Sequence, residues 1–258
     1  MNEKLAAFEK LLGIMDELRE KCPWDKIQTI ESLKTLTIEE VYELADAIDR
    51  KDMLDIKKEL GDLMLHLVFY AKIGSEKGEF DIKEVLESLC KKLIYRHPHV
   101  FSNVNAENPD QVSKNWEELK LKEKGGNETV LGGIPASLPA LIKANRIQQK
   151  VRGVGFDWEE RSQVWDKIAE ELDELKAEVE VSDEDKMEAE FGDLLFSIIN
   201  AARLYGINPE NALERTNRKF IKRFNYLEGQ TIKKGRSLKE MTLAQMEEIW
   251  QEAKKYTD

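Results

Sequence analysis

Two segments of this chain carry acidic residues at one shared spacing, and that spacing dictates a helix pair. In Thr37–Leu65, TIEEVYELADAIDRKDMLDIKKELGDLML, Glu40 and Glu43 are three apart, as are Glu59 and Asp62. Residues three apart share a helix face. Apolar periodicity breaks at Asp49–Asp52, a turn signal. Counted from Lys51, Glu43 and Glu59 are each eight residues away, and Glu40 and Asp62 eleven. At a rise of ~1.5 Å per residue, the inner pair stands ~12 Å from the turn and the outer pair ~16 Å. In an antiparallel hairpin the four carboxylates therefore meet at one level. At ~4 Å and an effective dielectric near 20, each like pair costs on the order of 4 kcal/mol. Such a cluster calls for protons or a cation, and an all-oxygen donor set suits Mg²⁺, with Mn²⁺ as a substitute.

The segment IAEELDELKAEVEVSDEDKMEAEFGDLLF, residues 168–196, repeats the arrangement. Glu171, Glu174, Glu190 and Asp193 each follow their counterparts by 131 residues, as do Glu170 after Glu39 and Gly192 after Gly61. The second midpoint is Ser182, in the polar run VSDED. A single pair of acidic residues is usually a solvated helix face. Two sets with identical internal spacing make a shared surface charge a poor explanation. Asp and Gly in mid-helix also ask for a packing or site reason. The run Leu60–Ala71 that follows Glu59 is apolar enough to expect burial.

The remaining chain reads as helices and turns, with no run of alternating strand residues. The fold class expected is all-α, as two tandem four-helix-type units. Their bounds are 1–124 and 138–258, with a Gly-rich linker at 125–137. Expected helices include 3–20, Ile82–Tyr95 with Val85, Leu86, Leu89 and Leu93 inward, Val112–Lys124, Asn211–Gly229 and Met241–Lys255. Gly74–Gly78 reads as a turn, Trp24 as a packing anchor, and His66 as a packed histidine.

A net charge of −11 opposes binding of nucleic acid polymers but not of one small phosphate compound, whose charge a metal can offset. Two cysteines, Cys22 and Cys90, give no disulfide framework and point to a reduced, cytoplasmic setting. No signal peptide or membrane span is expected. A P-loop is absent from the sequence. None of the three histidines has Glu three residues before it, as a ferritin-like di-iron site would want. Carboxylates beside Lys, Arg and aromatics suit phosphate-ester hydrolysis.

EEVYE…ELGD and EELDE…EFGD resemble the MazG family of nucleoside triphosphate pyrophosphohydrolases, whose signature is E-x-x-E, a spacer, then E-x-x-D. CPWDKIQT, RHPHVF and VGFDWEE resemble its tandem-domain members, and the likeness covers about residues 5–255. It implies Mg²⁺-dependent hydrolysis of NTPs or dNTPs to the monophosphate and pyrophosphate, a nucleotide-pool house-cleaning role, and an all-α homodimer or higher oligomer. It implies metal ligation by Glu40, Glu43, Glu59 and Asp62, and by Glu171, Glu174, Glu190 and Asp193. Glu39 and Glu170 would orient water. Substrate would be held by Lys167, Lys186, Lys219, Arg223 and Trp250 in the second unit, and by Lys92, Arg96 and Trp116 in the first. At the 131 offset Lys167 faces Leu36 and Lys186 faces Asp55, which leaves the first unit short of two cations. Competing readings are a non-catalytic helical regulator that binds nucleotide or protein, and a narrower dUTPase-like or phosphoribosyl-ATP pyrophosphohydrolase-like enzyme.

Overall fold

Each motif segment folds back on itself at the residue from which its carboxylates are equidistant. The computed structural model describes residues 2–102, 108, 111–112, 115–116, 119–120, 128–233, 235 and 237–257. Helix α3 (Ile30–Arg50) ends at Lys51 and α4 (Met53–Glu76) begins two residues later. Lys51 is left-handed, with φ 57° and ψ 33°. Its N–H caps the carbonyls of Ala47 and Ile48, while Asp52 Oδ1 accepts from the Leu54 and Asp55 amides at 3.0 and 3.2 Å. The second unit repeats this joint between α8 (Gln163–Val181) and α9 (Glu184–Leu204), with Ser182 at φ 59° and Asp183 capping Lys186 N. A left-handed non-glycine residue is uncommon, and among the described residues these two are its only instances.

Packing divides the chain into 1–105 and 106–258, ahead of the boundary expected at 124/125. Trp116 thereby falls in the second unit. Parts of the expected loop Asn103–Asp110, of the helix Val112–Lys124 and of the linker 125–137 lie outside the described residues. Among those described there is no strand, and no helix is long and apolar enough to cross a membrane.

The first unit consists of α1 (Glu3–Lys21), short α2 (Pro23–Ile27), the α3–α4 hairpin, α5 (Ile82–Arg96) and short α6 (Pro98–Phe101). A capping box fixes the start of α3: Thr29 Oγ1 accepts from Ser32 N at 3.1 Å, and Ser32 Oγ from Thr29 N at 2.9 Å. Met15, Leu33, Val68, Phe69 and Ile73 form the core between α1, α3 and α4. Each such side chain contributes about 1.5–3 kcal/mol by burial. Gly74 is not a turn residue: α4 continues through it, and a Cβ there would stand 2.7 Å from the Phe80 ring. Trp24 is exposed rather than an anchor.

The second unit comprises α7 (Ala140–Gly153), the α8–α9 hairpin, α10 (Pro209–Lys233) and α11 (Leu243–Thr257). Its core includes Val164, Leu175, Ile199, Leu227, Ile249 and Ala253. Buried Lys150 donates to the Val130 carbonyl at 2.9 Å and so ties the preceding segment to α7.

Both units leave the same apolar stripe uncovered. Leu60, Met64 and Leu67 on α4 are 42–57% exposed, and their counterparts Phe191, Leu195 and Ile198 on α9 are 46–58% exposed. The Leu60–Ala71 run is thus buried on one side only. On α5, Val85, Leu86, Leu89 and Leu93 do not face inward; they are 39–43% exposed. Periodicity identified the apolar face, which the described residues of the unit cover only in part.

Candidate active site

Each hairpin brings three carboxylates together, one oxygen from each within 4.8 Å of the others: Glu40, Glu43 and Glu59 in the first, Glu171, Glu174 and Glu190 in the second. Asp62 and Asp193 stand beside these triads rather than inside them. Their charges still register. Glu40 is held above the usual carboxylate range by burial, then by Asp62 and Glu43, with His66 opposing. Glu190 is raised by burial, then by Glu174 and Asp193. Protonation is resisted less where negative charges crowd, so each triad is short of positive charge.

One lysine partly supplies it in each unit, but from a different helix. Lys58 Nζ lies 2.9 Å from Glu59 and 3.8 Å from Asp62. Lys167 Nζ lies 2.8 Å from Glu171 and 3.0 Å from Glu170. The hydrogen bonds to these carboxylates raise both ammonium pKa values. The buried member of the triad changes with the lysine: Glu59, on α4, is 4% exposed, and Glu171, on α8, is 6%. Glu59 Oε1 accepts from Lys58, whereas its Oε2 is buried with no hydrogen-bond partner. A buried carboxylate oxygen left unpaired is costly. Oxygen-only donors, crowding and this orphaned oxygen together fit a hard divalent cation. The clusters are therefore able to hold a divalent metal.

Behind the first triad, Thr37 Oγ1 is shared by the Leu33 carbonyl at 2.9 Å, His66 Nδ1 at 3.0 Å and Tyr70 Oη at 2.7 Å. His66 is buried and packed, as expected. The second unit has Ile168, Ser197 and Ala201 at these positions.

A family model described as the MazG nucleotide pyrophosphohydrolase domain matches the chain twice, at residues 28–101 and 160–227. Each match encloses one carboxylate hairpin. The chain belongs to this family. It is 46% identical to the nucleoside triphosphate pyrophosphohydrolase/pyrophosphatase MazG of Thermotoga maritima, over 98% of both chains. It is 42% identical to the nucleoside triphosphate pyrophosphohydrolase of Escherichia coli K12, over 96% of this chain and 97% of that one. An uncharacterised Bacillus subtilis protein, YabN, is 44% identical over 96% of this chain but only 51% of its own length.

The other residues expected from MazG resemblance are more scattered. Glu39 is exposed on α3; Glu170 is exposed and paired with Lys167. Lys186 turns toward the hairpin joint, 3.7 Å from Glu178 and 3.6 Å from Asp183. Lys92 and half-buried Arg96 lie on α5, which packs on α4. Lys219 is exposed on α10, and the Arg223 guanidinium sits 6.0 Å over the Trp250 ring, with Phe220 5.0 Å from the same ring. Trp116 has Lys120 5.9 Å above its ring. The charges that raise Glu40 and Glu190 most come from within each hairpin, not from α5 or α10. Lys58 was missed in the sequence. Its i,i+4 relation to Asp62 was the available signal.

Proposed function

We infer that this chain hydrolyses nucleoside triphosphates, NTPs or dNTPs, to the monophosphate and pyrophosphate, with Mg²⁺ as cofactor and Mn²⁺ as substitute, as a means of clearing the nucleotide pool. The observation that carries the reading is the pair of converging carboxylate triads, one with a buried, unpartnered oxygen on Glu59. Glu40, Glu43, Glu59 and Asp62 would hold metal in the first unit, and Glu171, Glu174, Glu190 and Asp193 in the second. A divalent ion held there would supply positive charge against phosphate oxygens and would acidify a bound water. Glu39 and Glu170 orient and deprotonate the attacking water. Water adds at the α-phosphorus and pyrophosphate departs. Lys219 and Arg223, with Lys167 and Lys186, neutralise the leaving group in the second unit. Lys92 and Arg96 do so in the first. Trp250 and Trp116 offer faces to the base.

The working form is a homodimer or higher homo-oligomer. The uncovered stripe on each hairpin supports this, because a second copy would bury it. The two cysteines are free thiols, in keeping with a reducing cytoplasm.

A mixed NTP pool incubated with the protein and Mg²⁺ should release pyrophosphate. EDTA should stop the release, and excess Mg²⁺ should restore it. Release that continues unchanged in EDTA would remove the metal from the reading.

A further inference from the structure

A pocket of about 490 Å³ opens beside the first triad, lined by Tyr42, Glu43, Arg50, Lys58 and Glu59 together with Asp46 and Asp55. Its volume falls in the range of small-molecule sites, about 300–1,000 Å³. Glu59, which has a buried, unpartnered oxygen, is part of this lining. The two cations in this lining differ in what holds them. Arg50 is committed to structure: its Nε lies 2.9 Å from Asp46 and its Nη2 2.7 Å from Asp55, beside the hairpin joint. Lys58 is held by Glu59 and Asp62, which are residues the proposed metal would occupy. Its side chain is 62% exposed and long enough to swing.

This bears on the cations missing from the first unit. Lys186 precedes Glu190 by four residues, and Lys58 precedes Glu59 by one. Aligned on the glutamates, the two lysines are three residues apart, hence on one helix face and one turn apart. The position equivalent to Lys58 is Ala189, and the position equivalent to Lys186 is Asp55. The first unit has thus moved its lysine one turn nearer the carboxylates.

We propose that Lys58 is a phosphate-binding residue of the first unit: it bridges Glu59 and Asp62 until a divalent ion takes those carboxylates, and it then grips the triphosphate of a nucleotide in the adjoining pocket. The proposal rests on the metal-dependent reading above. It gives Lys58 two opposed effects, competing with the metal and attracting the metal-bound nucleotide. A residue that merely shores up the helix would move both affinities the same way.

The test uses full-length protein whose second cluster is silenced by Glu171→Gln with Glu174→Gln, with and without Lys58→Ala. Calorimetry reads Mn²⁺ binding alone, then binding of α,β-imido analogues of ATP and dUTP with Mg²⁺. Lys58→Ala should tighten Mn²⁺ about two- to fivefold, as expected on losing an exposed ion pair. It should weaken the analogue about tenfold or more, as expected on losing a charge-assisted contact. Lys58→Arg should keep most of the analogue affinity. Unchanged analogue binding in Lys58→Ala, a loss of both affinities together, or no analogue bound by the silenced chain with Lys58 intact would each overturn the proposal. Pyrophosphate release by the unaltered chain, measured alongside, reports separately on the general reading.

Discussion

The two hairpins of this chain share one backbone solution and differ in how they compensate charge. Both turn at a left-handed residue followed by a capping Asp, Lys51–Asp52 and Ser182–Asp183. Both bring three glutamates within 4.8 Å. The first draws its bridging lysine from α4 and buries Glu59; the second draws it from α8 and buries Glu171. Only the first backs its triad with the Thr37–His66–Tyr70 hydrogen bonds. The two copies therefore share what fixes the geometry of the carboxylate triads and differ in the cations around them. Geometry comes from helix register, which tolerates no partial solution, whereas a compensating charge can be supplied from any side chain that reaches.

The sharpest way to break this comparison is to disable the triads one at a time. Glu43→Gln and Glu174→Gln together should cut pyrophosphate release by about 10³-fold, since several kcal/mol of transition-state charge stabilisation are lost with the metal. Each single variant, assayed for kcat and KM, then apportions activity between units. If the double variant keeps wild-type release, neither triad is the site.

A second contrast lies in the ion pair that ties each unit together. Arg19 pairs with Glu76 in the first, at 2.5 Å, on a partly exposed carboxylate. Arg203, 7% exposed, pairs with Asp157 in the second, and Arg152 Nε adds a contact at 3.5 Å. Burial pushes Asp157 up, but the Arg203 hydrogen bonds and charge outweigh it and hold the carboxyl below its ordinary range. Hydrogen bonding to Arg19 likewise lowers Glu76. A carboxylate whose folded pKa lies below its unfolded value stabilises above the unfolded value and loses that contribution as pH falls through the folded one. Acid should loosen both units, and the second more, because its pair is less exposed. Asp157→Asn should cost about 1.5–3 kcal/mol near neutral pH and flatten the acid limb of the melting profile. Glu76→Gln should cost less. Equal losses from the two substitutions would erase the contrast.

The smallest effect concerns Gly61 and Gly192, which follow equivalent positions on α4 and α9. A Cβ at either meets nothing within 4 Å inside its own unit. In the isolated fold, Gly→Ala in mid-helix should stabilise by about 0.5–1 kcal/mol. If the stripes of both hairpins are covered by a partner copy, Ala will instead weaken assembly. Melting temperature and sedimentation of Gly61→Ala and Gly192→Ala distinguish the two results.

The hairpins were legible because helix period and equal spacing from Lys51 and Ser182 are properties of the sequence alone. The triads followed from that register. Other features depended on contacts that a linear pattern does not carry. Asp157 and Arg203 are 46 residues apart, and Arg19 and Glu76 are 57. Gly74 looked like a turn because nothing in the sequence shows the Phe80 ring lying against its Cα. The α5 leucines were rightly read as an apolar face, but periodicity cannot tell which molecule covers it. Asp62 and Asp193 were expected at the same level as the glutamates. The three-oxygen groups within 4.8 Å hold the glutamates alone, while the aspartates still act on Glu40 and Glu190 through their charge.

The two-residue joint at Lys51–Asp52 also acts as a vernier. Each residue added there would slide one wall of the hairpin ~1.5 Å and turn it ~100° against the other. That is enough to scatter Glu59 from Glu40 and Glu43 while leaving every helix intact.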